Sequence, residues 1–146
     1  SLAMFLRKKI NGKLLIIYIP AQILGCLLGV MLANVFFEHD ILELSTKNRD
    51  GFHIFLSEII ATFGLIFIIF ATQKDGKITI AASVATYIMA GYWFTSSTSF
   101  ANPAVAIART FTDSFTGINY LNTPTYILAE FLGALIAVFL IKKLIK

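Results

Sequence analysis

The segment TSFANPAVAIART, residues 98–110, places an Asn-Pro pair inside a largely apolar region of the chain. Pro103 has no backbone N–H and suits the first position of a helix, and Asn102 directly before it suits the helix cap. Gly117 can end this helix, which is therefore predicted over about residues 103–115. A helix of this length, about 20 Å, is too short to cross a bilayer. The segment predicts a re-entrant half-helix that dips into a membrane.

The rest of the chain is built from long apolar segments. Of its 146 residues, 58% are hydrophobic and only 14% are charged. Roughly 20 apolar residues are needed for a helix to cross the hydrocarbon core. Four spanning helices are therefore predicted, at about residues 14–37, 52–72, 78–96 and 124–142. A buried soluble core is the alternative, but four consecutive runs of this length disfavour it.

The distribution of basic residues predicts how the helices are oriented, because positive charges collect at the cytoplasmic ends of spanning helices. If the spans alternate in direction, nine basic residues lie on one side: Arg7, Lys8, Lys9, Lys13, Lys74, Lys77, Lys142, Lys143 and Lys146. The opposite side has only Lys47, Arg49 and Arg109. We therefore expect a plasma-membrane protein with a cytoplasmic C-terminus. The net charge of +4 reflects this placement, and no nucleic-acid partner is expected.

The first and fourth predicted spans resemble each other in sequence. AQILGCLLGV, residues 21–30, matches AEFLGALIAV, residues 129–138, in its Ala, Leu, Gly and Val positions, and Gln22 falls opposite Glu130. Because an odd span matches an even one, the two copies would have inverted topology, a common plan of channels and transporters. We expect the chain to be part of a longer protein whose N-terminal portion adds two spans and a first half-helix.

The polar run TSSTSF, residues 95–100, leads into the half-helix. Irregular backbone at membrane depth is tolerated only where it is buried in protein or lines a wet cavity. The carbonyls of Thr98, Ser99 and Phe100 are expected to line such a lumen. The half-helix dipole and the Asn102 amide would oppose cations there. This arrangement suits water or neutral hydroxylated molecules, whereas the alternative is an extracellular loop helix with an ordinary Asn cap.

The remaining reactive side chains predict neither an enzyme nor a metal site. No nucleophile–base pair or phosphate loop is visible, and no cofactor is expected. Cys26 is interpreted as a small packing residue, and His39 and His53 as loop residues. Two acids, Glu58 and Glu130, lie inside spans, where a proton-coupled transporter would use them.

These motifs resemble the major intrinsic proteins, the aquaporins and aquaglyceroporins. Asn102, Pro103 and Ala104 look like the family's second signature, residues 57–75 are similar to its fourth helix, and residues 21–29 resemble its third. The resemblance implies an all-α, aquaporin-like right-handed helical bundle that assembles as a homotetramer. This chain would supply helices three to six.

The resemblance also implies roles for individual residues. Glu58 would hydrogen-bond to the backbone of the re-entrant loops, and Gln22 and Glu130 are assigned the same supporting role. Most of the family has Arg where this chain has Val105, and water channels commonly have His at the place of Ala90. Ser99 occupies the remaining filter position on this chain.

The small residues at these filter positions predict a constriction that is wider and less polar than a water-only filter. Arg109 follows Asn102 by seven residues, almost two helical turns, and lies on the same helix face. It is expected either in the pore vestibule, selecting against cations, or as a structural arginine that snorkels or pairs with Asp113.

Three functional hypotheses follow. The first is a passive channel for water and small uncharged solutes, such as glycerol-like polyols or neutral metalloid acids. The second is a secondary transporter built from an inverted repeat. The third is that the 146 residues alone do not conduct, because half of the lumen wall is absent.

Overall fold

The computed structural model describes residues 1–144, in which the regular secondary structure is helical and there is no strand. Lys146, part of the predicted cytoplasmic charge cluster, lies outside the described residues. The helices are α1 (Leu2–Leu6), α2 (Gly12–Phe36), α3 (Phe52–Ala71), α4 (Lys77–Phe94), α5 (Pro103–Ala108) and α6 (Thr123–Leu144). A 3-10 turn, Arg109–Phe111, follows α5. The prediction of an all-α membrane fold is confirmed.

Three of these helices, α2, α3 and α6, are long and apolar enough to cross a membrane. The third predicted span, at about residues 78–96, corresponds to α4 and is not in this group. It has 18 residues, begins at Lys77, and carries the polar side chains Ser83, Thr86 and Tyr87. Length and composition therefore support three of the four predicted spans, and a spanning role for α4 stays a prediction.

The half-helix is shorter than the predicted range of residues 103–115, since α5 ends at Ala108 and its 3-10 extension ends at Phe111. The reason lies in two carbonyls at this point that accept hydrogen bonds from distant segments. The Thr110 carbonyl accepts from the Ser45 backbone N–H at 2.9 Å. The Phe111 carbonyl accepts from Asn34 Nδ2 at 2.9 Å. These bonds replace the ones that would have continued the helix.

The centre of the fold is the contact between α3 and α6. A Cβ atom built on Gly133 would lie 2.4 Å from the carbonyl oxygen of Ile59, so the two backbones approach as closely as a glycine allows. Small residues permit this kind of close packing between helices in membranes. On the same face of α6, Ala137 and Ile141 are buried against Phe70 of α3, and Ala3 of α1 joins this cluster.

Helix α2 lies at the periphery of the described residues. Val30 and Asn34 are its only buried side chains, and most of its leucines and isoleucines are exposed. Nothing lies within 4 Å of a Cβ atom built on Gly25 or Gly29. Asn34 connects α2 to the rest of the fold, because its Nδ2 also donates to the Ile41 carbonyl at 3.3 Å.

Candidate functional site

The segment that leads into α5 is irregular and buried. Ser97, Thr98, Ser99, Phe100 and Ala101 all have less than a tenth of their surface exposed. Three of the five have positive φ angles: 65° at Thr98, 53° at Ser99 and 51° at Ala101. Such angles are unfavourable for residues with a Cβ, at about 1–3 kcal/mol each. The surrounding structure must therefore hold this segment in place.

Glu58 of α3 provides the strongest support. Its Oε1 accepts the Phe100 backbone N–H, and its Oε2 accepts the Ala101 N–H, both at 2.9 Å. The side chain is fully buried. Because an unpaired N–H at this depth would be costly, the carboxylate offsets the strain of the segment by satisfying two donors that have no helical partner.

Glu130 of α6 supports the next residue of the segment. Its Oε1 accepts the Asn102 backbone N–H at 3.1 Å, whereas its Oε2 has no hydrogen-bond partner among residues 1–144. Gln22, opposite Glu130 in the internal repeat, makes a different contact: its Nε2 donates to the Ser1 hydroxyl at 2.7 Å. The two acids thus contact the re-entrant segment, residues 97–102, from α3 and α6, and Gln22 does not contact it.

Asn102 caps α5 in a specific orientation. Its backbone is extended, and its Oδ1 accepts the Ala104 N–H at 3.1 Å, with Pro103 at the first helical position. Because the cap requires the oxygen to face the helix, Nδ2 points the other way. Within residues 1–144 this Nδ2 donates to no protein group. The cap therefore presents a free amide donor at the N-terminus of α5.

The predicted filter positions have different environments. Ser99 is buried, and its hydroxyl has no partner among the described residues. Val105 is half-buried and packs on a cluster that includes Phe100 and Tyr126, whereas Ala90 is exposed. Gly91 of α4 lies very close to Ser99, since a Cβ built on Gly91 would lie 2.7 Å from the Ser99 hydroxyl oxygen. Sequence reasoning missed Gly91, although a glycine in the middle of an apolar helix could have indicated a close approach.

The predicted pairing of Arg109 with Asp113 is wrong, whereas its vestibule role and its role as a structural arginine both stay predictions. Its Nη1 donates to the Thr116 hydroxyl, and its buried Nε has no partner among residues 1–144. Asp113 instead accepts the Thr46 backbone N–H at 2.9 Å and has Lys47 Nζ at 3.8 Å. The bond from the Thr46 N–H is the main reason that the pKa of Asp113 is lowered. Asp113 thus ties the loop before α3 to the loop after α5.

Other polar side chains lie apart from this site. His39 Nδ1 lies 2.8 Å from Glu43 Oε2 in the loop after α2, and His53 is exposed at the start of α3. Cys26 is a half-buried free thiol on α2. No group of three His, Cys, Asp or Glu side chains in the described part of the chain could hold a metal ion.

Comparisons with known proteins agree with this architecture. The family model described as "Major intrinsic protein" matches residues 1–95. Over 129 residues, 88% of its length, the chain is 43% identical to "Aquaglyceroporin AqpS" of Rhizobium meliloti (strain 1021). The chain spans about half, 55%, of the length of that relative. No solved structure matches. The family match and the identity to this relative confirm the resemblance, and the chain belongs to the major intrinsic protein family.

Proposed function

We propose that the protein containing this chain is a passive channel for water and small uncharged solutes, and that residues 1–146 form part of its pore wall. The observation that carries this proposal is the free Nδ2 donor of Asn102 at the N-terminus of α5. A neutral donor beside the positive end of a helix suits a hydroxylated or water-like solute and opposes a cation. No catalytic role is proposed.

The filter residues narrow the class of solute. Val105, Ser99 and Ala90 are small or apolar, so this side of the pore offers little bulk and no charge at the usual filter positions. We propose glycerol-like polyols and neutral metalloid acids as solutes, with water passing alongside them. The relative's name, aquaglyceroporin, supports the polyol part of this proposal.

The same proposal covers the assembly, orientation and membrane of the channel. The exposed apolar side chains of α2 fit a lipid or subunit environment, and a homotetramer would cover part of them. The cytoplasmic C-terminus is supported by Lys142 and Lys143 in the last turn of α6. The plasma membrane is proposed as the site of action.

The replacement Val105→Arg tests the widened filter. In proteoliposomes that hold the whole protein, we expect glycerol permeability to fall by about tenfold or more, with water permeability reduced less, because pore diameter and lining charge set selectivity. Stopped-flow light scattering measures both. Val105→Met is the control, since it adds bulk without charge and should reduce glycerol flux less. Glycerol flux unchanged in Val105→Arg would contradict the widened filter.

A secondary transporter is the competing function. Glu58 and Glu130 would be its proton-coupling acids, but both accept backbone N–H groups of the re-entrant segment. This use favours the channel. Solute flux that saturates at low concentration or follows a proton gradient would overturn the channel proposal. The same assay on residues 1–146 alone tests the third hypothesis, for which we expect no flux.

A further inference from the structure

Arg49, in the loop between α2 and α3, reaches the re-entrant segment. Its backbone N–H donates to Asn122 Oδ1 at 3.0 Å, just before α6. Two residues earlier, the Lys47 carbonyl accepts the Asn119 N–H at 2.8 Å. These two bonds fix the loop against the segment that precedes α6. The position of Arg49 is therefore set by the fold.

The guanidinium group of Arg49 faces the polar run that leads into α5. Its Nη1 and Nη2 both lie 3.5 Å from the Thr98 hydroxyl oxygen, and its Cζ lies 5.8 Å from the centre of the Phe100 ring. No acidic side chain in residues 1–144 lies within 4.0 Å of it. Since an arginine stays charged at any physiological pH, a positive charge lies beside Thr98. The Glu58 carboxylate balances part of this charge over a longer distance.

Arg49 and Val105 both lie against one hydrophobic cluster, the one that contains Phe100. The ring of Phe100 lies below the guanidinium, and Val105 packs on the cluster that contains the same ring. Val105 leaves the half-helix without a cation at the position where most of the family has arginine. Arg49 places a cation beside Thr98 and Phe100, from a different segment of the chain.

The other two basic residues on this side of the protein are engaged elsewhere. Lys47 Nζ lies 3.8 Å from Asp113, so its charge is partly compensated. Arg109 donates to Thr116, beyond the end of α5. Of these three basic residues, Arg49 is the one whose guanidinium lies beside Thr98 and Phe100.

We propose that Arg49 is a specificity-determining residue of the pore, which excludes cations from a filter that Val105 leaves uncharged. This inference rests on the proposed channel function. An arginine on the half-helix would fill part of the lumen, whereas a charge in the loop repels cations by Coulomb interaction and leaves the lumen open. Its N–H groups remain available to the hydroxyls of a passing solute. The pore would thus combine width with exclusion of cations.

The test compares cation leak with neutral flux in proteoliposomes of the whole protein. The neutral variants are Arg49→Gln and Arg49→Met; methionine keeps an aliphatic stem over Phe100. Lys47→Gln is the matched control, since it removes a charge from the same loop. We expect both Arg49 variants to raise permeability to methylammonium by about tenfold relative to glycerol, because one repelling charge is lost. The control and Arg49→Lys should keep the ratio of the unmodified protein.

A double variant tests whether Arg49 substitutes for a charge at position 105. Arg49→Gln combined with Val105→Arg should restore exclusion of methylammonium, because the charge returns to the half-helix. An unchanged ratio in both neutral variants, or failure of both to assemble, would overturn the role of Arg49. If the unmodified protein gives no glycerol flux above protein-free vesicles, the proposed channel function fails, and this inference fails with it.

Discussion

We expect Glu58→Gln to abolish solute flux and to destabilise the protein by about 2–5 kcal/mol. The reason is that one backbone N–H and the new side-chain NH₂ group would face each other as two buried donors without an acceptor. Each carboxylate oxygen of Glu58 accepts one backbone N–H, from Phe100 and from Ala101. A glutamine has a single oxygen, so its NH₂ group must face the second N–H. Ala101, with φ of 51°, is then free to relax away from its strained conformation.

Size-exclusion chromatography of the detergent-solubilised protein after heating measures the stability, and vesicle swelling measures the flux. Glu130→Gln is the matched control. Only Oε1 of Glu130 accepts a hydrogen bond, from the Asn102 N–H, and its Oε2 has no partner among the described residues. An amide can keep this single bond, so the control should lose about 1 kcal/mol or less. Equal tolerance of the two substitutions would show that Glu58 does not hold the segment.

The helices that the sequence predicted well are those with a local signal. The apolar runs located α2, α3 and α6 to within about two residues, and the Asn-Pro pair located the start of α5. The end of α5 was predicted from Gly117 but comes earlier in the chain. It depends on hydrogen bonds from Asn34 and Ser45, which are more than 60 residues away in the chain. A local pattern does not contain partners at that distance.

The residues of the site also divide into those with a local sequence signal and those whose contacts depend on distant segments. Asn102 and the two glutamates stand out in the sequence because an amide beside proline and an acid inside a span are unusual. Arg49 was missed because a single arginine in a polar loop is usually a solvated residue. Its contact with Thr98 follows from the way the loop packs on the segment before α6. The two counterparts in the repeat have different contacts, since Gln22 contacts Ser1 and Glu130 contacts the re-entrant segment. A supporting role for Gln22 therefore stays a prediction.

We expect Gly133→Leu to separate α3 from α6 and to destabilise the fold by about 3 kcal/mol or more, at the upper end of overpacking effects. A Cβ on Gly133 would lie 2.4 Å from the Ile59 carbonyl oxygen and 3.1 Å from the Phe63 nitrogen. Both are backbone atoms of a helix, so no side-chain rotation can relieve the clash. The better helix propensity of leucine, worth about 1 kcal/mol over glycine, offsets only part of this cost.

Gly25→Leu is the matched control, because Gly25 holds the position equivalent to Gly133 in the internal repeat. Within residues 1–144 nothing lies within 4 Å of a Cβ there, so in the 146-residue chain leucine should be neutral or slightly stabilising. The measurement is the fraction of helix retained by each variant in increasing SDS, followed by circular dichroism. Equal loss of helix in both variants would mean that the close approach of α6 to Ile59 does not carry the stability. A loss confined to Gly133→Leu would show that this approach holds α3 and α6 together, and with them Glu58 and Glu130 at the re-entrant segment.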